Sequence, residues 1–316
     1  MRRATQADLP AMLEFIKPDV TNCLYIYINL RVYGTENPHM PVWLEETGGQ
    51  LRMVALCYYD TALRIYCRPE DDDVFARARE LVETVRHRLV FSTYSMAQRL
   101  AEAFPGRYRL EKGMIMRQDK YRNFDFSLVE QAKPEDAEEI AALICEDEYY
   151  RGQYEPAALA AELADRMRAG TGRSFVIRQD GKIVAHTAIT AEVDDIAMGS
   201  LFICHRDYRN RFLGDTLESY LVRLLQQEGK VIHGLLLDER RMRMLERTHN
   251  SAIALQGKLT LLETMPGGSK DDGAATITSL HAEGTGRRLP QARHCILSIW
   301  RHLPGRTAAP GVYPVG

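Results

Sequence analysis

The sequence predicts an α/β protein in which two copies of one unit each form a mixed β-sheet flanked by helices. Two segments begin alike, RRATQADLPAMLEF from Arg2 and VEQAKPEDAEEIAALI from Val129. Each combines a short strand-like lead, a capping triplet with Asp and an amphipathic helix. Each is followed by strands around a Gly-containing turn and then by another helix. For the two starts alone, a chance likeness of strand-to-helix junctions stays the alternative.

The repeat sets the predicted boundaries. We expect a first domain over residues 1–125, a second over 126–265 and a mostly irregular tail over 266–316, where Gly, Pro and Arg are dense. A chain of 316 residues with 45% hydrophobic content is long enough for two globular domains.

Charge and cysteine usage narrow the function classes. The net charge of -2 provides no basic field, so neither nucleic acid nor membrane is an expected partner. The N-terminus lacks the apolar core of a secretory signal, and no apolar run approaches the roughly 20 residues that span a bilayer. The six cysteines show no CxxC pair and no zinc spacing, so we expect no metal site. These features predict a cytoplasmic protein.

In the first half, we predict two strands around a Gly-Gly turn from the run PVWLEETGGQLRMVALCYYD and a third strand from LRIYCR. We predict a helix from the run VFARARELVETVRHRL. The helix is preceded by Arg68-Pro69-Glu70-Asp71-Asp72-Asp73. Four consecutive carboxylates suit a helix N-terminus but would repel a phosphate group.

In the second half, we predict three antiparallel strands from the run SFVIRQDGKIVAHTAITAEVDDIAMGSLFICH. A helix is predicted from the run GDTLESYLVRLLQQEG. The strand VIHGLLL, the helical pattern DERRMRMLERTHNSAIALQ and the strand GKLTLLE follow. A strand, helix, strand order predicts a parallel crossover, which makes the sheet mixed.

The most informative stretch is SLFICHRDYRNRFLGDTLESYLVRLL over 200–225, where a strand passes through a basic loop into a helix. Free amide groups in the first turn of such a helix form an anion site that suits a pyrophosphate. Arg209 and Arg211 add positive charge, and Gly214 allows the backbone to approach a ligand.

These residues resemble the GNAT acyltransferase superfamily. Its cofactor motif, Arg or Gln, two residues, Gly, one residue, then Gly or Ala, corresponds to Arg209 through Gly214, with Phe212 in place of a glycine. Asn250 and Lys258 match the family's closing signature, in which Gln256 replaces a tyrosine that protonates the departing thiolate.

The resemblance implies two tandem GNAT-like folds, the first a degenerate copy without a cofactor site, and acetyl-CoA as the cofactor of the second. It implies that the pantetheine arm enters a gap between the strand through Ile203 and the next strand. Gly199 either marks the bulge that opens this gap or only accommodates packing. The predicted cofactor-binding residues are Leu201, Phe202, Ile203, Arg209, Asn210, Arg211, Phe212, Leu213, Gly214, Asp215 and Asn250.

The family transfers an acetyl group directly to an amine, which a base or a water chain must deprotonate. We name Glu192 as the base and His186 as the second choice, because equal strand parity predicts that they share a face. The alternatives are a solvated carboxylate and a sheet histidine. Tyr149, Tyr150 and Tyr154 either shape an acceptor pocket or pack at a helix end.

The function predicted is therefore an N-acetyltransferase acting on a primary amine of a small molecule, amino acid or peptide. The alternative is a non-catalytic acyl-CoA sensor or scaffold. The expected partner is a small-molecule amine acceptor, and a homodimer stays open.

Overall fold

The computed structural model describes residues 1–262, with the exception of 59, 149, 152, 153, 238, 240, 241, 244, 245 and 247–249. The tail predicted over 266–316 and Tyr149 of the predicted acceptor pocket lie outside the described residues, as do most positions of the helical pattern after Leu237. None of the described helices is long and apolar enough to cross a membrane.

The described residues form twelve strands and seven α-helices. The strands are β1 Arg2–Arg3, β2 Val42–Thr47, β3 Gln50–Tyr58, β4 Ala62–Cys67, β5 Leu89–Thr93, β6 Tyr108–Gln118, β7 Val129–Gln131, β8 Arg173–Gln179, β9 Lys182–Val193, β10 Ile196–Cys204, β11 Val231–Leu236 and β12 Ser251–Leu261. The helices are α1 Leu9–Ile16, α2 Leu24–Tyr33, α3 Asp72–Thr84, α4 Tyr94–Ala103, α5 Ala137–Glu146, α6 Pro156–Ala169 and α7 Leu213–Gln227.

Several helix ends follow from local sequence. The Asp71 side chain accepts a hydrogen bond from the Val74 amide and so caps α3. At the start of α6, Glu155 accepts from the Ala158 amide, 2.8 Å away. That helix ends at Gly170, whose φ of 66° lies in the left-handed region that glycine adopts without strain.

All twelve strands join one sheet in the order β1-β2-β3-β4-β5-β12-β6-β11-β10-β9-β8-β7. Most neighbours are antiparallel, but β4 pairs with β5, and β10 with β11, in parallel. The predicted α/β class with a mixed sheet flanked by helices is confirmed.

The two halves exchange strands at the centre of this sheet. Strand β12, from the second half, lies between β5 and β6 of the first half. Strand β6, from the first half, lies between β11 and β12 of the second. Each half thus fills the slot beside its partner's parallel strand pair, which joins the halves into one hydrogen-bonded sheet.

Strand β12 corrects one prediction. The helical pattern predicted through Gln256 stops earlier, since Ser251–Leu261 is a strand that pairs on both sides. The run SAIAL is compatible with either state by itself. Two ladders of hydrogen bonds from distant strands decide it, as expected when tertiary pairing overrides local propensity.

Helices cover both faces of the sheet. Adjacent residues of a strand point to opposite faces, and in β8 Val176 packs with α5 and α6 whereas Phe175 packs with α7. In the first half, α1 and α2 cover the face of Val54, and α3 and α4 the face of Met53. Helix α2 reaches across the halves, because its core cluster also contains Met198 of β10.

Candidate functional site

The site begins where strands β10 and β11 separate. They pair at Ile196–Val231, Ala197–Ile232 and Met198–His233, and from Gly199 onwards β10 pairs, among the described strands, with β9 alone. The backbone edge of β10 that faces β11 is therefore left without a strand partner over 199–204. Such an edge can bind an extended ligand by main-chain hydrogen bonds.

Two irregularities accompany the separation. Ala191 pairs with Met198 and Ile189 with Gly199, so Thr190 is an extra residue in the register of β9, and its hydroxyl donates to the Met198 carbonyl at 3.3 Å. This register shift beside Gly199 is the bulge predicted there. A hypothetical Cβ on Gly199 would lie 3.0 Å from Ile232 Cγ2, so the glycine also accommodates close packing.

The second irregularity lies between Ser200 and Ile203. Here Leu201 has a φ of 53°, a left-handed conformation that leucine rarely adopts. Sequence reasoning missed this bulge, because no glycine marks it. It directs the Leu201 carbonyl toward β9, where it contacts the ring of His186.

The loop after β10 prepares the N-terminus of α7. A short turn, Arg206–Tyr208, leads to two left-handed residues, Asn210 with φ 66° and Phe212 with φ 59°. Phe212 is the N-cap and provides no side-chain capping hydrogen bond. The amides of Leu213, Gly214 and Asp215 belong to the first helical turn, where the helix itself supplies no acceptor. Their partial positive charge favours an anion.

The two loop arginines differ in what they contact. The Arg209 guanidinium donates to Asp147 Oδ2 at 2.8 Å and to the Cys204 carbonyl at 3.2 Å, so its charge is already paired and it ties the loop to the end of α5. Arg211 lies over the ring of Tyr208, 4.9 Å from its centroid, on the protein surface. Arg211 is therefore the loop cation better placed to meet an incoming anion.

Gly214 has a packing partner that the sequence did not reveal. A Cβ at this position would lie 2.7 Å from Cζ of Phe202. The glycine thus lets the Phe202 ring of β10 pack against the first turn of α7. Phe212 lies on the outer side of the loop with 62% of its surface exposed, 6.4 Å from the ring of Phe124.

Asn250 ties the first half to the second rather than facing the loop directly. Its Oδ1 accepts hydrogen bonds from the amides of Asp119 and Lys120, both at 3.0 Å, and it is buried. With Asp215 and Ser219 of α7 it lines a small cavity beside the helix. Asn250 and Asp215, predicted separately, are therefore neighbours.

A cavity of roughly 460 Å³ adjoins the loop. The end of α5 and the end of β10 form its walls, and Ile203, Arg209 and Asp147 are among the lining side chains. Tyr150 is buried in the core beneath α5 and α6, with its ring 6.1 Å from that of Tyr154. Of the two hypotheses for these tyrosines, an acceptor pocket or packing at a helix end, their positions agree with packing at a helix end.

His186 is completely buried within the sheet. Its Nδ1 lies 2.9 Å from the Leu201 carbonyl oxygen and its Nε2 3.2 Å from Ser174 Oγ. Burial lowers the pKa of His186 to about 4, so the ring is neutral at pH 7. A buried imidazole with this pKa, hydrogen-bonded at both ring nitrogens, is a weak proton acceptor.

Glu192 is held in an ion-pair network. Arg173 donates to it at 3.0 Å, and Lys230 contacts its other oxygen. The prediction that Glu192 and His186 share a face is wrong. His186 contacts Ser174 and Glu192 contacts Arg173, adjacent residues whose side chains leave opposite faces of β8. Thr190, the extra residue in the register of β9, reverses the alternation of side chains between them.

Gln256 lies far from the opening of β10. It pairs with Thr93 of β5 and Gly113 of β6, and its Nε2 donates to the Asn22 carbonyl at 3.1 Å. Strands β6 and β11 separate it from β10. The strand exchange therefore removes this position from the place where the resemblance implied a proton donor.

In the first half, the segment before α3 corresponds to the loop before α7, and its polar groups are hydrogen-bonded to one another. Glu70 accepts hydrogen bonds from the hydroxyls of Thr93 and Ser95, and its carbonyl accepts one from Arg99 at 3.0 Å. Arg99 also pairs with Asp72 at 2.6 Å. Carboxylates hold the polar groups around this helix N-terminus.

Comparisons with known proteins show similarity in structure. No protein-family model and no curated protein sequence match the chain. An acetyltransferase of the GNAT family from Colwellia psychrerythraea superposes with a TM-score of 0.58 at 11% identity, over 83% of this chain and 99% of that one. A protein from Drosophila gives 0.61 at 13%, over 83% and 98%. A tandem GNAT protein from the clavulanic acid biosynthesis pathway gives 0.51 at 14%, over 82% and 96%.

Proposed function

Since the chain has the fold of GNAT acetyltransferases, we propose that its second half transfers an acetyl group from acetyl-CoA to a primary amine of a small molecule, amino acid or peptide. The observation that carries this proposal is the separation of β10 from β11 after Met198, directly before a loop that leads into the first turn of α7, whose amides have no acceptor within the helix. A strand edge and an anion site thus follow each other along one ligand path.

The residues present fit the cofactor. Three amides of the first turn of α7 and the exposed Arg211 provide donors for a diphosphate. The free edge of β10 provides main-chain groups for the amide-containing pantetheine arm. Acetyl-CoA would supply a reactive thioester at the inner end of this path.

The protein's own contribution is binding and orientation. Amides on the edge of β10 that no longer pairs with β11 can donate to a thioester carbonyl oxygen and stabilise negative charge that develops there. Glu192 and His186 both have other partners, so we assign removal of the amine proton to water. A thiol with a pKa of about 8.5 leaves as thiolate without a dedicated acid, so a proton donor at position 256 is dispensable.

For the first half, we propose a degenerate copy without a cofactor. Glu70 occupies the position at the N-terminus of α3 that a phosphate would need, and its carboxylate already takes the Thr93 and Ser95 hydroxyls. This half instead contributes strand β6 and helix α2 to the second half.

A non-catalytic acyl-CoA sensor is the second candidate. It is favoured by one observation, namely that the two predicted bases are engaged in structural contacts. Both candidates require CoA to bind, and they differ in turnover.

Titration calorimetry with CoA, followed by a free-thiol assay with acetyl-CoA and a panel of amines, tests the proposal. We expect binding, amine-dependent thiol release, and a strong loss of both in Arg211→Glu, which reverses the charge of the exposed loop cation without touching the core. A control, Gly48→Glu in the turn between β2 and β3, should bind normally. Binding without release for every amine would establish the sensor, and absence of binding would exclude both.

A further inference from the structure

Arg64 of β4 is a buried cation that forms no ion pair with any residue in the described part of the chain. Only 4% of its surface is exposed. Its guanidinium lies between two aromatic rings, 4.1 Å from the centroid of Tyr25 and 4.4 Å from that of Phe91. Its Nε has no hydrogen-bond partner among the described residues.

The contrast with Arg166 shows what is missing. Arg166 is buried to a similar degree, but it pairs with Glu162 at 2.7 Å and donates to the Thr190 carbonyl. Burial of an unpaired charge is expensive, and aromatic faces offset this only in part. Burial lowers the pKa of Arg64 to about 10, which still leaves the side chain protonated at neutral pH.

The surroundings of Arg64 are suited to an anion. It lines a cavity together with Leu24, Tyr25 and Ile26, the first turn of α2, whose amides have no acceptor within the helix. The N-cap Cys23 makes no side-chain capping bond. None of the side chains lining this described cavity is a carboxylate. The helix dipole and the guanidinium therefore act in the same direction.

We propose that this cavity, which the first half lines together with Gln256 of the exchanged strand β12, binds a small monoanion, a chloride ion or the carboxylate end of a ligand. Its volume of roughly 20 Å³ accepts a group about the size of a water molecule but excludes a diphosphate. The site lies where β4 and β5 separate, between Arg64 and the α2 N-terminus. It does not depend on acetyl-CoA binding in the second half.

Thermal unfolding of the full chain tests the site. Sodium isethionate, whose anion is bulkier, is replaced by sodium chloride or sodium acetate at constant ionic strength. We expect the Tm of the wild type to rise by about 2–4 °C once the anion exceeds its Kd by about tenfold. Arg64→Met should show no such rise, because the guanidinium is removed and an apolar chain of similar length remains.

The two salts separate the two sources of the anion. A rise in chloride alone assigns a halide, and a rise in acetate assigns a ligand carboxylate. Equal salt responses of the wild type and Arg64→Met would overturn the proposal. Because neither salt contains CoA, that result would leave the acetyl-CoA proposal untouched.

A second measurement covers the case in which Arg64→Met does not fold. A wild-type crystal soaked in sodium bromide should give an anomalous peak between Arg64 and the first turn of α2. Water density at that position with no anomalous signal would show that the site does not take an anion.

Discussion

The Ser92 hydroxyl donates a hydrogen bond of 2.8 Å to the carbonyl oxygen of Ile65. This bond spans the gap that opens between β4 and β5 after their last pair, Arg64 and Phe91. A side chain thus bridges the parallel strands of the first half at the first position where they separate.

The second half has glycines at both corresponding positions. Its last parallel pair is Met198 and His233, so Gly199 and Gly234 come next. A Cβ on Gly234 would lie 3.5 Å from the Gly199 carbonyl oxygen, at ordinary contact distance. There is room for a serine there, and a serine would reproduce the bridge of the first half.

We therefore predict that Gly234→Ser weakens CoA binding about fivefold. The new hydroxyl would donate to Gly199, and an incoming pantetheine arm would have to break a bond worth about 1 kcal/mol. Titration calorimetry measures the change. Unchanged affinity would show that the ligand does not enter between β10 and β11.

Ser92→Ala is the matched control. It should leave CoA affinity unchanged, since the first half has no proposed cofactor site. It should lower the free energy of unfolding by about 1 kcal/mol, because a buried carbonyl loses its donor. Urea denaturation measures this value.

Phe212→Gly should tighten CoA binding several-fold without loss of stability. Phe212 has a φ of 59°, which costs a non-glycine residue about 1 kcal/mol, and its exposed ring contributes little burial. Phe212→Ala separates the effect of the ring from the effect of the backbone strain, since it removes the ring but keeps the strain. If Phe212→Gly binds CoA more weakly than Phe212→Ala, loop flexibility rather than backbone strain limits the affinity for CoA.

The features that the sequence predicted correctly are local ones. The strand, loop and helix around Arg209 and Gly214 were readable because adjacent residues specify a strand end, a turn and a helix start. The mixed sheet followed from the order of such elements along the chain. For these features no distant contact has to be known.

The features that were missed depend on distant pairing. The place of Gln256 is set by β5 and β6, more than 130 residues earlier in the chain. The relation of Glu192 to His186 is set by one extra residue, Thr190, in a ladder whose register appears only in the paired strands. Strand parity fails wherever a bulge intervenes.

Glu192→Gln distinguishes a structural from a catalytic carboxylate. Because Arg173 and Lys230 hold Glu192, we expect kcat to change less than threefold, while the free energy of unfolding falls by about 1 kcal/mol. Free-thiol kinetics and urea denaturation measure the two quantities. A loss of kcat of about 100-fold, as removal of a general base produces, would restore Glu192 as the base.

The exchanged strand β12 is tested at Gly257. A Cβ there would lie 2.2 Å from the Ala97 Cβ of α4, a distance that requires the helix to move. Gly257→Ala should therefore lower the free energy of unfolding by about 1–3 kcal/mol. The double variant with Ala97→Gly should recover part of this loss, because the two substitutions share one contact. If the losses of stability in Gly257→Ala and Ala97→Gly simply add in the double variant, β12 does not contact α4 at this position.

His186 should make stability depend on pH between about 4 and 6.5. Its pKa in the folded protein is about 4, below the ordinary value of 6.5, so the unfolded chain binds the extra proton first as the pH falls. The neutral ring therefore stabilises the fold fully above pH 6.5, and acidification from pH 7 to pH 5 removes about 2 kcal/mol. Urea denaturation of the wild type and of His186→Gln at both pH values measures this term. The glutamine cannot titrate, so the variant should lose about 2 kcal/mol less than the wild type on acidification. Equal losses in both proteins would mean that His186 is accessible enough to take up a proton in the folded state.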